Sequence, residues 1–305
     1  MLSKKTLLQY LFIYMMIQTT RSCLFVLQHN NAIYFSLALC FIISIVYRRV
    51  RSQKLYLFFG VLAATLMVTR IVRGGYGLQY WMEFIVPIWL SYIAYTLDKE
   101  KFFIHFVKEV VFFAATSLVF WGLSFISPDL VRGLLLVDMP EIFKGTKGVL
   151  LYSFHYGSWA SGYYRNCGIF TEPGIYQIVL NAALFILLFF ETSCKGITPK
   201  QRNKYTVILI MTLLSAQSTT GYTGFAIILA GYFLSRKDKM KRKVFAIVGI
   251  MVAYLVIDYL TAGVNSILYT TLISKTVGES GSIDLSVDTG YYRMLSIESS
   301  WNVFM

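Results

Sequence analysis

Charge is the scarcest commodity in this chain. Only 14% of its 305 residues are charged, against roughly a quarter in an ordinary soluble domain. Acidic groups are the thinnest, 15 Asp and Glu against 28 Lys and Arg, which gives a formal net charge of +13. That excess invites a nucleic-acid reading, but its distribution excludes one, because the cations gather on one side of the apolar segments. The four cysteines also say little: Cys23 and Cys40 lie in apolar runs, Cys194 at a helix end and Cys167 in a loop. None has the spacing of a metal site, so no metal and no disulfide framework are expected. No Walker loop, zinc spacing or serine-elbow motif occurs, which leaves ATP without a place and predicts no cofactor.

Apolar residues fill the space, at 57%. Runs recur from Leu7 onward, many near the ~20 residues that span a bilayer. They are apolar all round rather than alternating, which argues for helices and against a transmembrane barrel. The expected fold class is therefore all-α, a polytopic transmembrane helical bundle in a single membrane domain over 1–305. The spacing predicts helices near 6–28, 32–47, 55–72, 79–97, 104–126, 174–192, 206–219, 222–234 and 244–261. Lys4-Lys5 and a long apolar run mimic a signal peptide, but no small-residue cleavage site follows, so the first helix is expected to be retained.

Eighteen Lys and Arg fall in the segments on the side of Lys4 and Lys5, and eight on the other. By the positive-inside rule the N-terminus is cytoplasmic, in a multi-pass protein of the cytoplasmic (inner) membrane. The two long loops, about 127–173 and 262–305, are then both extracytoplasmic and far longer than helix connections need. Their Tyr, Trp and Phe content predicts that they fold onto the membrane surface. The helices near 206–219 and 222–234 are short and flank Ser218-Thr-Thr-Gly-Tyr-Thr-Gly224. That polar turn is expected to be sunk beside a cavity, the setting in which non-helical backbone is tolerated at membrane depth. The stop at Met305, inside the second long loop, reads as a C-terminal truncation.

The stretch Arg165-Asn-Cys-Gly-Ile-Phe-Thr-Glu-Pro-Gly174 ends the first long loop. Thr171, Glu172 and Pro173 read as a helix start, Thr at the cap and Pro just inside. Arg165, Gly168 and Phe170 are left without a local explanation. Asp288-Thr-Gly-Tyr-Tyr-Arg293 in the second loop reads either as an amphipathic surface helix or as a second cluster of site residues. Arg70 and Arg73 share a face at the outer end of the third helix, as snorkelling interfacial residues or as anion ligands. Arg21 is expected inside the first span, near its outer end. His155 is the one histidine of the two long loops, in the aromatic run Tyr152, Phe154, His155, Tyr156, Trp159, Tyr163 and Tyr164. Aromatic belts explain such a run, and so does stacking on sugar rings. Arginines at an outward-facing rim suit phosphate oxygens, and hence a lipid-linked diphosphate.

Arg165-x-x-Gly168-x-Phe170-x-Glu172-Pro173-Gly174 opening a span, Ser218-Thr-Thr-Gly221-Tyr222 between two short spans, and Asp288-x-Gly290-x-x-Arg293 in a late outer loop together resemble bacterial polysaccharide polymerases of the O-antigen polymerase (Wzy) type. The resemblance runs from about the fifth span onward. It implies transfer of a growing glycan from its polyprenyl diphosphate to the non-reducing end of a new lipid-linked repeat unit, making capsule, O-antigen or exopolysaccharide. It further implies no nucleotide sugar and no metal, and as partners the polyprenyl-diphosphate-linked oligosaccharide, membrane lipid, a chain-length regulator and a flippase. Arg165 and Arg293 would hold the diphosphate, with Arg70, Arg73 and Tyr222 as further substrate contacts. Glu172, His155 and Asp288, in that order, would be the base. Members of the family carry further spans after the second outer loop. The alternatives are a ligase-like enzyme of the same architecture, which would need a histidine late in the second loop, and a flippase, which would need paired broken helices.

Overall fold

The computed structural model describes residues 3–27, 29–47, 53–73, 78–135, 137–138, 146–149, 151–155 and 164–235. The described chain is mostly helical. In order it forms α1 (Lys4–Gln18), α2 (Cys23–Leu27), α3 (His29–Val46), α4 (Gln53–Arg73), α5 (Leu78–Leu97), α6 (Phe102–Ile126) and α7 (Pro128–Leu134). Three short strands follow, β1 (Val137–Asp138), β2 (Thr146–Val149) and β3 (Tyr152–His155), then α8 (Pro173–Phe189), α9 (Pro199–Ala216) and α10 (Thr219–Ser235). Contacts divide the chain into two compact units, Met1–Ala216 and Gln217–Met305. The helix expected at 244–261 and the loop 262–305, with Asp288 and Arg293, lie outside the described residues.

In the first unit α6 is the axis. It packs against α1, α7, α8, α9 and β3, while α5 packs against α1, α3 and α4. At 25 residues, α6 is about 37 Å long. Among the described residues it is the one helix long and apolar enough, by length and composition, to cross a membrane; Asn31–Val46 and Pro173–Phe189 are apolar but shorter. Apolar side chains also cover the outside of the unit: Leu57, Ile71, Val119, Ile126 and Ile178 are all exposed, Ile126 to 82%.

The interior is stitched by polar side chains. Gln9 of α1 is fully buried. Its Nε2 donates to the carbonyls of Ala94 and Asp98, both at 2.8 Å, and its Oε1 lies 2.6 Å from His105 Nδ1 on α6. Gln177 of α8 donates to the Leu213 carbonyl of α9 at 2.7 Å. Such bonds fix one helix against another where apolar contact alone leaves sliding free, because an unmet buried polar group costs about 1–3 kcal/mol.

The two ends of α6 have distinct surroundings. At its start, Lys5 pairs with Asp98 (3.7 Å), Phe103 stacks on Phe190 (5.6 Å), and Gly196 sits against Ile104. The segments around Lys5, Lys99–Lys101 and Cys194–Gly196 thus share one end. At the other end α7 and an antiparallel sheet of order β1-β2-β3 cover α6. There Val131, Leu135, Tyr152 and Phe154 form a small core against Phe120 and Leu123, with Phe120 and Tyr152 stacked at 5.1 Å. The described parts of the first long loop are therefore folded, with strands that the all-helical expectation did not contain.

Two expectations are corrected. The first apolar run is not one helix over 6–28: α1 stops at Gln18, and Arg21 takes a left-handed φ of 63° before α2. Polar Thr19-Thr-Arg-Ser22 supplies the break. Nor are the helices flanking Ser218–Gly224 short. Pro199–Ala216 has 18 residues and Thr219–Ser235 has 17. The turn is only Gln217-Ser218, with Gln217 at φ 49°, and Thr219 to Gly224 are already helical.

Candidate functional site

The segment Tyr164–Thr171 enters the end of the unit where α6 finishes and is tethered on three sides. On the α6 side Trp121 Nε1 donates to the Tyr164 carbonyl at 2.9 Å. On the α9 side the Asn166 N–H donates to the Ser215 carbonyl at 2.9 Å. The fully buried Asn166 side chain does the rest. Its Nδ2 donates to Ser117 Oγ (3.1 Å) and Ser215 Oγ (3.0 Å), and its Oδ1 accepts from the Gly168 N–H at 3.0 Å. Ser117 Oγ in turn lies 2.8 Å from Tyr176 OH, so one asparagine ties the loop to α6, α8 and α9.

The third tether runs to the N-terminal helices. Cys23 N–H donates to the Ile169 carbonyl (2.9 Å), and Ser22 and Phe170 form an isolated antiparallel bridge. The Arg21 carbonyl accepts from both the backbone N–H and the hydroxyl of Thr171, at 3.3 and 3.2 Å. From β3, the Ser153 hydroxyl donates to the carbonyls of Gly168 (3.0 Å) and Phe170 (2.7 Å).

Gly168 and Phe170 are thereby explained. Gly168 has φ +57°, and a Cβ there would lie 2.6 Å from the Tyr176 ring. Left-handed backbone and close approach both demand glycine. Phe170 is buried, its ring 5.4 Å from that of Tyr176. Thr171 is not the helix cap, a third correction. Glu172 is the N-cap of α8, with no side-chain cap bond, and Pro173 opens the helix. The Thr171 hydroxyl goes to Arg21 instead, and Arg21 stands exposed at the break between α1 and α2.

Three of the sequence-predicted site residues come to this end. Arg165 is partly buried, its Nε shielded from solvent, and its backbone lies between the anchors at Tyr164 and Asn166. Glu172 is exposed at the start of α8. His155 ends β3, with Nε2 3.4 Å from the Phe170 carbonyl. A carbonyl can only accept, so in this long contact it is the ring that donates, from Nε2. Burial lowers the His155 pKa below the ordinary histidine value, with the Phe170 carbonyl opposing the shift. The ring is therefore held neutral at neutral pH. Burial pushes the Cys167 thiol well above its usual range, with Arg165 opposing, so no thiolate is available there.

The remaining candidates are elsewhere. Arg70 and Arg73 lie in the last turn of α4, three residues apart. Tyr222 belongs to the second unit, in the first turns of α10, its N–H donating to the Ser218 carbonyl at 3.0 Å. Asp288 and Arg293 fall outside the described residues.

Sequence reasoning missed Asn166, Ser117, Ser215 and Gln18. Gln18 is 5% exposed, and both polar atoms of its amide have no hydrogen-bond partner among the described residues. For Gln18, Ser117 and Ser215 the available signal was an amide or hydroxyl standing in an otherwise apolar helix; Asn166, in a loop, carried none. Among the described residues no group of His, Cys, Asp and Glu has the arrangement of a metal site. Comparison with protein-family models, curated proteins and solved structures finds no match to this chain.

Proposed function

We propose that the chain is a membrane-embedded glycosyltransferase that joins polyprenyl-diphosphate-linked oligosaccharides into a polysaccharide on the outer face of the cytoplasmic membrane. The observation that carries this reading is Arg165, fixed by backbone anchors to α6 and α9 at the end of the unit that also holds Glu172 and His155. A cation whose backbone is anchored at the same end of the unit as two potential bases suits a reaction that expels a diphosphate and takes up a proton.

In that reaction the acceptor hydroxyl oxygen attacks the anomeric carbon of the lipid-linked glycan. The bond from that carbon to the phosphate oxygen breaks, and the diphosphate leaves with the bonding pair. Arg165 faces the charge that grows on the leaving oxygens, where a positioned guanidinium stabilises the transition state most. Glu172 or His155 Nδ1 takes the hydroxyl proton. Arg293 and Asp288 are assigned by the resemblance to the same chemistry. No step needs a metal or a nucleotide.

The membrane part of the proposal rests on the exposed apolar side chains of the first unit and on α6. It rests also on the gathering of Lys5, Lys99 and Lys101 at one end of α6 and of the folded loop at the other. The nine-span count belongs to the proposal as well.

The test is Arg165→Ala and Arg293→Ala, each expressed in a host whose own polymerase has been deleted. Cell-surface glycan is resolved on ladder gels. Both variants should lose the ladder while single repeat units still reach the surface. Normal chain lengths in both would overturn the assignment, and repeat units trapped inside the cell would point to a flippase.

A further inference from the structure

At the end of α6 remote from Arg165, a cavity of about 670 Å³ is lined by Lys5, Tyr92, Thr96, Asp98, Lys99 and Lys101, with Leu97 and Glu100 completing it. That is within the volume range of small-molecule sites, roughly 300–1,000 Å³. Its floor is rigid, because the buried Gln9 amide holds the Asp98 carbonyl at 2.8 Å. Lys99 reaches over the Tyr95 ring, 5.8 Å from its centre. Lys5 and Asp98 meet only at 3.7 Å, with side chains 50% and 20% exposed, so that pair is weak and Lys5 can turn to another anion. Lys101 is the N-cap of α6 and makes no side-chain cap bond, which leaves the positive end of a 25-residue helix beside the cavity.

We infer that this cavity binds a phosphate group carrying about one net negative charge. Three lysines against Asp98 and Glu100 leave one uncompensated cation, which suits a phosphodiester and not a polyphosphate. The group can come from an anionic phospholipid or from phosphate in solution. The lipid source requires the membrane placement proposed above, whereas the soluble source does not.

The experiment uses the full chain in nanodiscs of phosphatidylcholine doped with phosphatidylglycerol, extracted and weighed intact by native mass spectrometry. Wild type should retain one phosphatidylglycerol in preference to phosphatidylcholine. Retention should fall roughly fivefold for each lysine removed in a Lys5→Gln, Lys99→Gln, Lys101→Gln series. A triple Lys→Arg variant should retain it. In the second arm inorganic phosphate is titrated into detergent-solubilised protein and followed by ³¹P line broadening. Broadening without lipid selectivity, absent at equal chloride, assigns the soluble source. Equal retention of both lipids with no phosphate broadening in wild type overturns the inference, whether or not the Gln variants fold. So does undiminished binding in a folded triple Gln variant. Neither result bears on Arg165 and the polymer ladder.

Discussion

Asn166 and Gly168 show how far single residues control the candidate site. Ser117 Oγ and Ser215 Oγ already donate to the helix carbonyls of Ala114 and Thr212, so they can only accept from Asn166. Asn166→Ala therefore strands chiefly the Gly168 N–H, at about 1–3 kcal/mol. Asn166→Asp turns an oxygen toward two hydroxyls with no proton to spare and buries a charge. It should lower the thermal unfolding midpoint more than Asn166→Ala, and the reverse order would refute this account of the tether. Gly168→Ala adds about 1–2 kcal/mol of left-handed strain to the clash with Tyr176, and should be the most damaging of the three on the same scale. For His155, burial keeps the folded pKa below the unfolded value near 6.5, so its neutral form is the native one. The associated stability is present above that value and is lost as pH falls through the folded pKa. If Nδ1 is the base, initial rates of polymer formation should also decline below neutrality with an apparent pKa under 6.5. His155→Gln should remove that limb, and an unchanged limb would pass the role to Glu172. At this scale the sequence was half legible. Arg165, Gly168, Glu172 and His155 stand out as residues, but nothing local announces that Asn166 bonds to partners 49 positions away on either side.

Among the elements, the helices from α3 to α6, together with α8, fall within a few residues of their apolar runs, because a long apolar segment fixes its helix whatever its neighbours. Two places escaped. The run over α1 and α2 looks continuous because averaging hides Thr19–Ser22, whose break is enforced by β-like pairing with Phe170. Thr219–Gly224 looks like a turn by composition, yet its backbone stays helical; two glycines and three threonines weaken a helix without forbidding one. The sheet was invisible since its strands are two to four residues long. Gln9 makes the element-level prediction. Gln9→Leu removes the link from α1 to the end of α5 and to His105, and should lower the unfolding midpoint while leaving the remote polymer chemistry intact. Loss of activity at unchanged stability would contradict that division.

For the whole molecule, Lys5, Lys99 and Lys101, three of the basic residues that the positive-inside rule puts on one side, line one cavity. Placing that end in the cytoplasm yields a direct check. Cysteines introduced as Lys99→Cys and Lys147→Cys should react with a membrane-impermeant maleimide from opposite sides of sealed vesicles. Labelling of both from one side would remove the membrane-spanning premise.

The clasp between Arg21 and Thr171 joins residues 150 positions apart, and Asn166 waits for Ser215 as well. At translation speeds of about 5–20 residues per second, roughly 8–30 seconds separate the two halves of that clasp on the ribosome. During that interval the Arg21 carbonyl has no Thr171 to accept from and Ser22 has no Phe170 to pair with. The two sides of the clasp are therefore made far apart in time, and the contact between Arg21 and Thr171 can close only once most of the first unit has been synthesised.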